Sequence, residues 1–231
     1  MTNTNNEKYL RFWHEVSIKN IGFKIKNRAD SVKSKCVWFP YQKGGEYRTW
    51  YGNNRYIVYY FDDGKELIEL VTKKYTKISD PEFIIKNRNW YFNEGLTWST
   101  LTSAAFSARY CDKGFIFDAK GSMAFNKKGD NILYYIALLN SCVSSIYLKI
   151  LSPTLDFNIV GLKAIPCIIK KYEDIFSLTE KCIKITKSDW DAFETSWDFT
   201  KHPLLRNKPT ISEAYAEWEA ECNARFAQLK A

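Results

Sequence analysis

The residues that offer chemistry cluster in one short run. Lys43-Gly44-Gly45 and Arg48 set two cations beside a backbone that can approach phosphates closely, because glycine carries no side chain to hold a ligand off. Five residues on, Asn53, Asn54 and Arg55 supply amide and guanidinium forks, the groups that read adenine and guanine edges in the major groove. The same residues also fit a plain glycine turn with asparagine in left-handed conformations. A second set is rich in hydroxyls: Thr97, Ser99, Thr100, Thr102, Ser103 and Ser107, with Arg109 and Lys120 nearby. Such a surface suits phosphate and base contacts, and equally suits sheet-face hydroxyls bonded to one another. This reading gives Lys43, Arg48, Asn53, Asn54, Arg55, Thr97, Ser99, Ser103, Ser107, Arg109 and Lys120 as candidate DNA contacts.

Several kinds of catalytic apparatus are missing from the sequence. There is no Gly-x-Gly for a cofactor loop, no Pro-Pro for an Asn-Pro-Pro-Tyr tetrapeptide, no Gly-Lys-Ser/Thr phosphate loop and no Gly-x-Ser-x-Gly elbow. Ser152-Pro153-Thr154-Leu155 only ends a helix. Asp62, Asp63, Glu66 and Glu69 read as a turn and a solvated helix face rather than a metal cluster. The six cysteines have no Cys-x-x-Cys spacing, and His14 and His202 are the only imidazoles, so a zinc site is not expected. No secretion signal precedes the cysteines, which points to reduced thiols in a cytoplasmic protein.

The elements that must position these residues follow from pattern. Glu7 to Val16 is helix-compatible. Cys36 to Tyr60 reads as strands joined by tight loops at Gly44, Gly45 and Gly52, and Arg55 to Phe61 ends at the turn Asp62-Asp63-Gly64. Glu66 to Lys77 fits a helix. Thr97 to Ser99 and Gly114 to Asp118 fit strands. Asn131 to Leu151 is the strongest helix signal, ended by Pro153. Within it, Ile132 to Leu151 is about as long as a bilayer span, but Asn140, Ser141, Ser144, Ser145 and Lys149 make a buried helix the better reading, with no membrane partner. Leu162 to Ile169 reads as an edge strand containing Pro166. Tyr172 to Thr186 and Ser212 to Lys230 are amphipathic helices, the latter capped by Ser212. It runs to Ala231 without a stop, as if a longer parent continued.

These patterns imply an α/β or mixed α+β fold. A domain over 1–170 has a central mixed or antiparallel sheet, and 171–231 form a helical spacer and tail, with 198–210 as linker. Hydrophobic residues make up 45% and aromatics 16% of the 231, enough for a real core. Net charge is +8 but uneven. Residues 1–55 hold 11 basic and 4 acidic side chains, whereas 186–231 hold 6 basic and 8 acidic. The polyanion-facing surface is therefore expected in the first part.

The run Val37-Trp38-Phe39-Pro40-Tyr41-Gln42-Lys43-Gly44-Gly45-Glu46-Tyr47-Arg48-Thr49-Trp50-Tyr51-Gly52-Asn53 resembles the C-terminal region of the BREX phage-defence adenine-specific DNA methyltransferases and related fused restriction–modification enzymes. Blocks at Asn5 to Trp13, Glu94 to Ser99, Phe106 to Arg109, Gly114 to Asp118, Leu138 to Ser141 and Asp189 to Phe199 agree in order. Leu138 to Pro166 also resembles the tail of a type I specificity half-domain. The resemblance implies a target recognition domain followed by a helical spacer. The catalytic methyltransferase domain would lie before residue 1 of the same parent chain, and S-adenosylmethionine would be a cofactor of that parent and not of this segment. Double-stranded DNA is the implied partner, with other defence-system proteins as further ones. The competing reading is a protein-interaction module of the defence assembly that touches DNA only incidentally.

Overall fold

The computed structural model describes residues 5–77, 80–126, 132–152 and 154–230. The expected helix stop at Pro153, the start of the long helix at Asn131 and the chain's end at Ala231 lie outside them. The fold is mixed α+β, built on two sheets.

The first sheet has the order β1-β3-β2-β6. Its strands are β1 (Leu10–Phe12), β2 (Trp38–Gln42), β3 (Tyr56–Tyr59) and β6 (Ile116–Phe117). β3 is antiparallel to β1 and β2, and β2 is parallel to β6. The expected helix over Glu7 to Val16 is corrected. A single turn, α1 (Asn6–Tyr9), is capped by Asn5, and the chain then becomes β1. Leu10 to Phe12 complete the free edge of β3, and strand pairing overrides a weak helical preference.

α2 (Arg28–Ser34) packs beside α3 (Phe61–Lys74). The Asp62-Asp63-Gly64 turn signal appears as three successive residues with positive φ inside the first turn of α3. Asp63 holds this backbone in place by accepting from Arg28 and Arg88. α3 and the segment 81–92 cover the first sheet. Tyr9, Phe39, Tyr60, Leu67, Val71, Tyr91 and Phe92 form the core between them.

The second sheet is antiparallel, ordered β5-β4-β7. It comprises β4 (Gly95–Trp98), β5 (Ala108–Cys111) and β7 (Met123–Ala124). α4 (Ile132–Asn140) and α7 (Tyr172–Asp191) pack against it, and Leu96, Trp98, Ile136, Ile183 and Trp190 make the second core.

Three further expectations change. Asn131 to Leu151 is not one helix: α4 and α5 (Cys142–Leu151) bend by 71° at Ser141, whose Oγ accepts the Ser144 N–H as an N-cap. The expected strand at Leu162 to Ile169 is absent. α6 (Ile159–Lys163) occupies its start, and the phenol of Tyr134 donates to the Ile168 carbonyl where a strand partner would have stood. α8 (Ile211–Lys230) is capped by Thr210 Oγ1, which accepts from Glu213 N, and not by Ser212.

All six cysteines are unpaired. Among the described residues, no single helix is long and apolar enough to cross a membrane.

Candidate nucleic-acid interface

The loop 43–55 leaves β2, crosses to the second sheet and returns as β3. It is braced at almost every turn. Gly44 has φ +80°, and a Cβ there would lie 2.9 Å from the Lys120 carbonyl oxygen. At Gly45 the Ser99 Oγ accepts the amide N–H at 2.9 Å and donates to the carbonyl at 2.9 Å. Asn53 adopts φ +64°, and its Nδ2 donates to the Glu46 carbonyl at 2.8 Å, closing the loop on itself. Asn54 Oδ1 accepts from Gln42 Nε2 at 3.0 Å. Trp50 pairs through its backbone with the edge of β5, donating to Ala108 and accepting from Tyr110. Tyr51 is buried in the second core. The loop is therefore a rigid strap between two sheets.

Its two arginines face α7. Arg48 lies 3.3 Å from Asp189, and its guanidinium stacks over the Trp190 ring at 5.0 Å. Arg55 stacks on the same ring at 5.6 Å. Gly52 leaves room for this: a Cβ there would be 2.4 Å from Arg48 Cδ. Lys43 lies over the Tyr56 ring and stays half-buried.

Burial divides the expected contact residues. Lys43, Arg48 and Arg55 are partly accessible, and Ser103 and Lys120 are exposed. Asn53, Asn54, Thr97, Ser99, Ser107 and Arg109 are buried. In this conformation those six lie inside the protein, away from its accessible surface. Both asparagines bond within or beside the loop, and Asn53 alone of the two takes the left-handed conformation of the turn reading. Thr97 Oγ1 donates to the Ser122 carbonyl and Thr100 Oγ1 to the Ala119 carbonyl, so these hydroxyls tie sheet to loop.

Arg109 is the least expected of them. Its side chain has no exposure and, among the described residues, no carboxylate partner. Nη1 donates to the Arg48 carbonyl and Ser107 Oγ, both at 3.4 Å, and Nη2 to Ser99 Oγ at 3.3 Å. Nε has no partner. Burial opposes its charge and lowers its pKa to about 10. The guanidinium thus lies beneath the strap, holding Arg48 and Ser99 from below.

The sequence reading missed Asp189 and Trp190 as members of this site. They lay just past the helix expected to end at Thr186, yet α7 runs on to Asp191. The seven-residue step from Ile183 to Trp190, two helical turns, was the available signal. It also missed Asn140, whose side chain accepts from Ala108 N at 2.8 Å and donates to Ala108 O at 2.9 Å. That bracket fixes the start of β5, where the loop is attached.

The arrangement holds cations and hydrogen-bond forks in place. Cys111 is fully buried, and burial pushes its thiol well above the usual range. Among the described residues no His, Cys, Asp and Glu side chains are grouped to hold a metal ion.

No protein-family model matches the chain. Along its whole length the chain is similar to segments of two adenine-specific methyltransferases, in keeping with the likeness of its sequence blocks. It is 38% identical over 237 aligned residues, 100% of its length, to the adenine-specific methyltransferase PglX of Lacticaseibacillus casei (strain Zhang). It is 37% identical over 225 residues, 96% of its length, to the adenine-specific methyltransferase BrxX of Escherichia coli O9:H4 (strain HS). The chain spans 19% and 17% of those proteins respectively, so it matches a segment of each.

Proposed function

We propose that this chain is the DNA-target-reading unit of an S-adenosylmethionine-dependent adenine-N6 DNA methyltransferase in phage defence, and that methyl transfer is carried by another part of the enzyme. The observation that carries the proposal is a mismatch. The chain aligns along its whole length with adenine-specific methyltransferases, yet it contains neither a Gly-x-Gly nor an Asn-Pro-Pro-Tyr. A segment of such an enzyme without the chemical motifs is best explained by the enzyme's other requirement, finding the target base.

The strap 43–55 is the reading element. Lys43, Arg48 and Lys120 approach phosphates, Arg55 supplies the guanidinium fork for a guanine edge, and Ser103 adds a hydroxyl at the margin. The buried members act by holding this set in register, because a rigid support discriminates between bases better than a mobile one.

Fluorescence anisotropy with duplex DNA at two salt concentrations tests the proposal. Binding that weakens steeply with salt is expected, and salt-independent binding or none at low salt counts against it. Titration calorimetry with S-adenosylmethionine should show no heat of binding. A measurable affinity would move the cofactor site into this chain.

A further inference from the structure

Residues 17–35 carry most of the chain's net positive charge. They hold six basic side chains and one acidic one, within a total of +8. Arg28 is turned inward, where Asp63 accepts from its guanidinium. The five lysines, Lys19, Lys24, Lys26, Lys33 and Lys35, are all exposed. Among the described residues none of them reaches a carboxylate. Asp30, the acid of the segment, instead accepts from Asn27 Nδ2 at 2.9 Å.

The backbone gathers these lysines into one ledge. The Asn20 carbonyl accepts the Val37 N–H at 3.0 Å, and the Trp38 carbonyl accepts the Gly22 N–H at 2.8 Å. Lys19 is one residue from the first of these bonds and Lys35 is two, so the two lysines flank the same seam. At the other end, a Cβ on Gly114 would lie 2.9 Å from Lys24 N, so the exposed Lys113 joins Lys24. Five residues carry the chain from Lys19 to Lys24, at most about 17 Å.

Two of the lysines stand on strained backbone. Lys24 has φ +58° and Lys35 φ +55°, the latter as the residue that ends α2. Glycine or asparagine usually fills such positions, because a Cβ there crowds the neighbouring carbonyl. A lysine kept in that conformation holds its charge at a conformational cost, and such outliers mark sites of function.

We infer that Lys19, Lys24, Lys26, Lys33, Lys35 and Lys113 form a phosphate-gripping ledge for the backbone of double-stranded DNA beside the target. The inference rests on the DNA-reading function proposed above. Lysine is a mobile point charge without the planar fork that reads base edges, so the ledge adds affinity and no sequence preference. β2 leads straight from it to the strap. Its five residues, Trp38–Gln42, span about 17 Å at about 3.3 Å each, or about five base-pair steps. A single duplex is therefore long enough to meet the ledge and Lys43 together.

A salt titration of the 231-residue chain with a labelled duplex of about 20 base pairs tests the ledge. Lys24→Gly with Lys35→Gly removes two cations and relieves both strained φ values. Lys19→Gln with Lys26→Gln removes two more. Each pair should reduce the slope of log affinity against log salt by about 2, at about 0.9 per phosphate contact, with sequence preference unchanged. The melting temperature of the glycine pair should not fall. Lys181→Gln, exposed on α7, is the control that should leave the slope alone. A slope unchanged in either pair, with wild-type binding still salt-dependent, overturns the ledge and leaves the strap as the reader. It would assign the lysines to an acidic protein surface. Affinity lost in both pairs only together with melting temperature also overturns it. A wild type that binds no duplex at low salt sinks the reading function itself.

Discussion

The Oγ of Ser99 stands 2.9 Å from both the amide nitrogen and the carbonyl oxygen of Gly45, so one hydroxyl at the end of β4 clamps the strap of the first sheet to the second. The same oxygen accepts from Arg109. Ser99→Ala removes two part-buried hydrogen bonds to the Gly45 backbone and one acceptor of the buried Arg109 guanidinium. The expected loss is about 2 kcal/mol, or roughly 4–8 °C in Tm for a chain of this size. Differential scanning calorimetry measures it, with the exposed Ser103→Ala as the control that should not move Tm.

Arg109 gives the opposite expectation. A buried guanidinium whose acceptors among the described residues are all neutral, at 3.3–3.4 Å, recovers little of its desolvation cost. Arg109→Met keeps the length and packing of the side chain and removes the charge. We expect stability in urea to rise by about 1–3 kcal/mol. DNA affinity should hold, because the side chain has no exposure. A large loss of affinity without loss of stability would show that the strap opens on DNA and presents Arg109 to it.

The fate of Arg109 shows what the sequence made legible and what it did not. Gly44, Gly45 and Gly52 interrupt an aromatic run, and that announced a loop between strands with cations on it. The hydroxyls of Thr97, Ser99 and Ser107 implied an accessible polar face, or one whose hydroxyls bond to one another. Yet all four residues of β4 are buried, and the strap bonds to Ser99 at the strand's end and to β5 beside it. Periodicity reports which face of a strand is apolar and carries no information about a loop from another sheet lying across the polar one. The break at Ser141 escaped for a related reason. A serine followed three residues later by another serine reads as a tolerated polar pair within a helix, and only the packing of α4 on α7 and of α5 on α6 makes it a cap.

Asp189 decides whether Arg48 is a strut or a contact. The two lie 3.3 Å apart with both side chains partly exposed, so the pair contributes little to stability. Asp189→Asn frees the guanidinium while Trp190 still supports it from below. If Arg48 meets phosphate, DNA affinity at low salt should rise about 2–3-fold. Arg48→Ala in the same background should then reduce the salt slope by about 1. Unchanged affinity in Asp189→Asn would assign Arg48 to the strap alone.

Lys187 ties the same helix to the strap and to the turn beyond it, and its contribution should depend on pH. Its Nζ lies 2.7 Å from Asp191, 3.1 Å from Asp198 and 3.4 Å from the Tyr51 hydroxyl. Burial works against its charge, but the hydrogen bond to Asp191, the adjacent Tyr51 and the hydrogen bond to Asp198 outweigh it, so the pKa is raised above its ordinary 10.5. A group with a raised folded pKa stabilises fully below its unfolded value, and that stabilisation is lost as pH climbs through the folded value. Tyr51, whose own pKa burial raises, keeps its hydroxyl protonated over the neutral range. Lys187→Met should therefore cost about 1–2 kcal/mol after allowance for partial exposure. The difference from wild type should be constant between neutral pH and about pH 10, then shrink as pH rises further. Urea unfolding of both proteins along that series is the measurement. A difference that grows with alkalinity would mean that Lys187 is held by packing on the Tyr51 ring, 4.9 Å from its Nζ, and not by its two carboxylates.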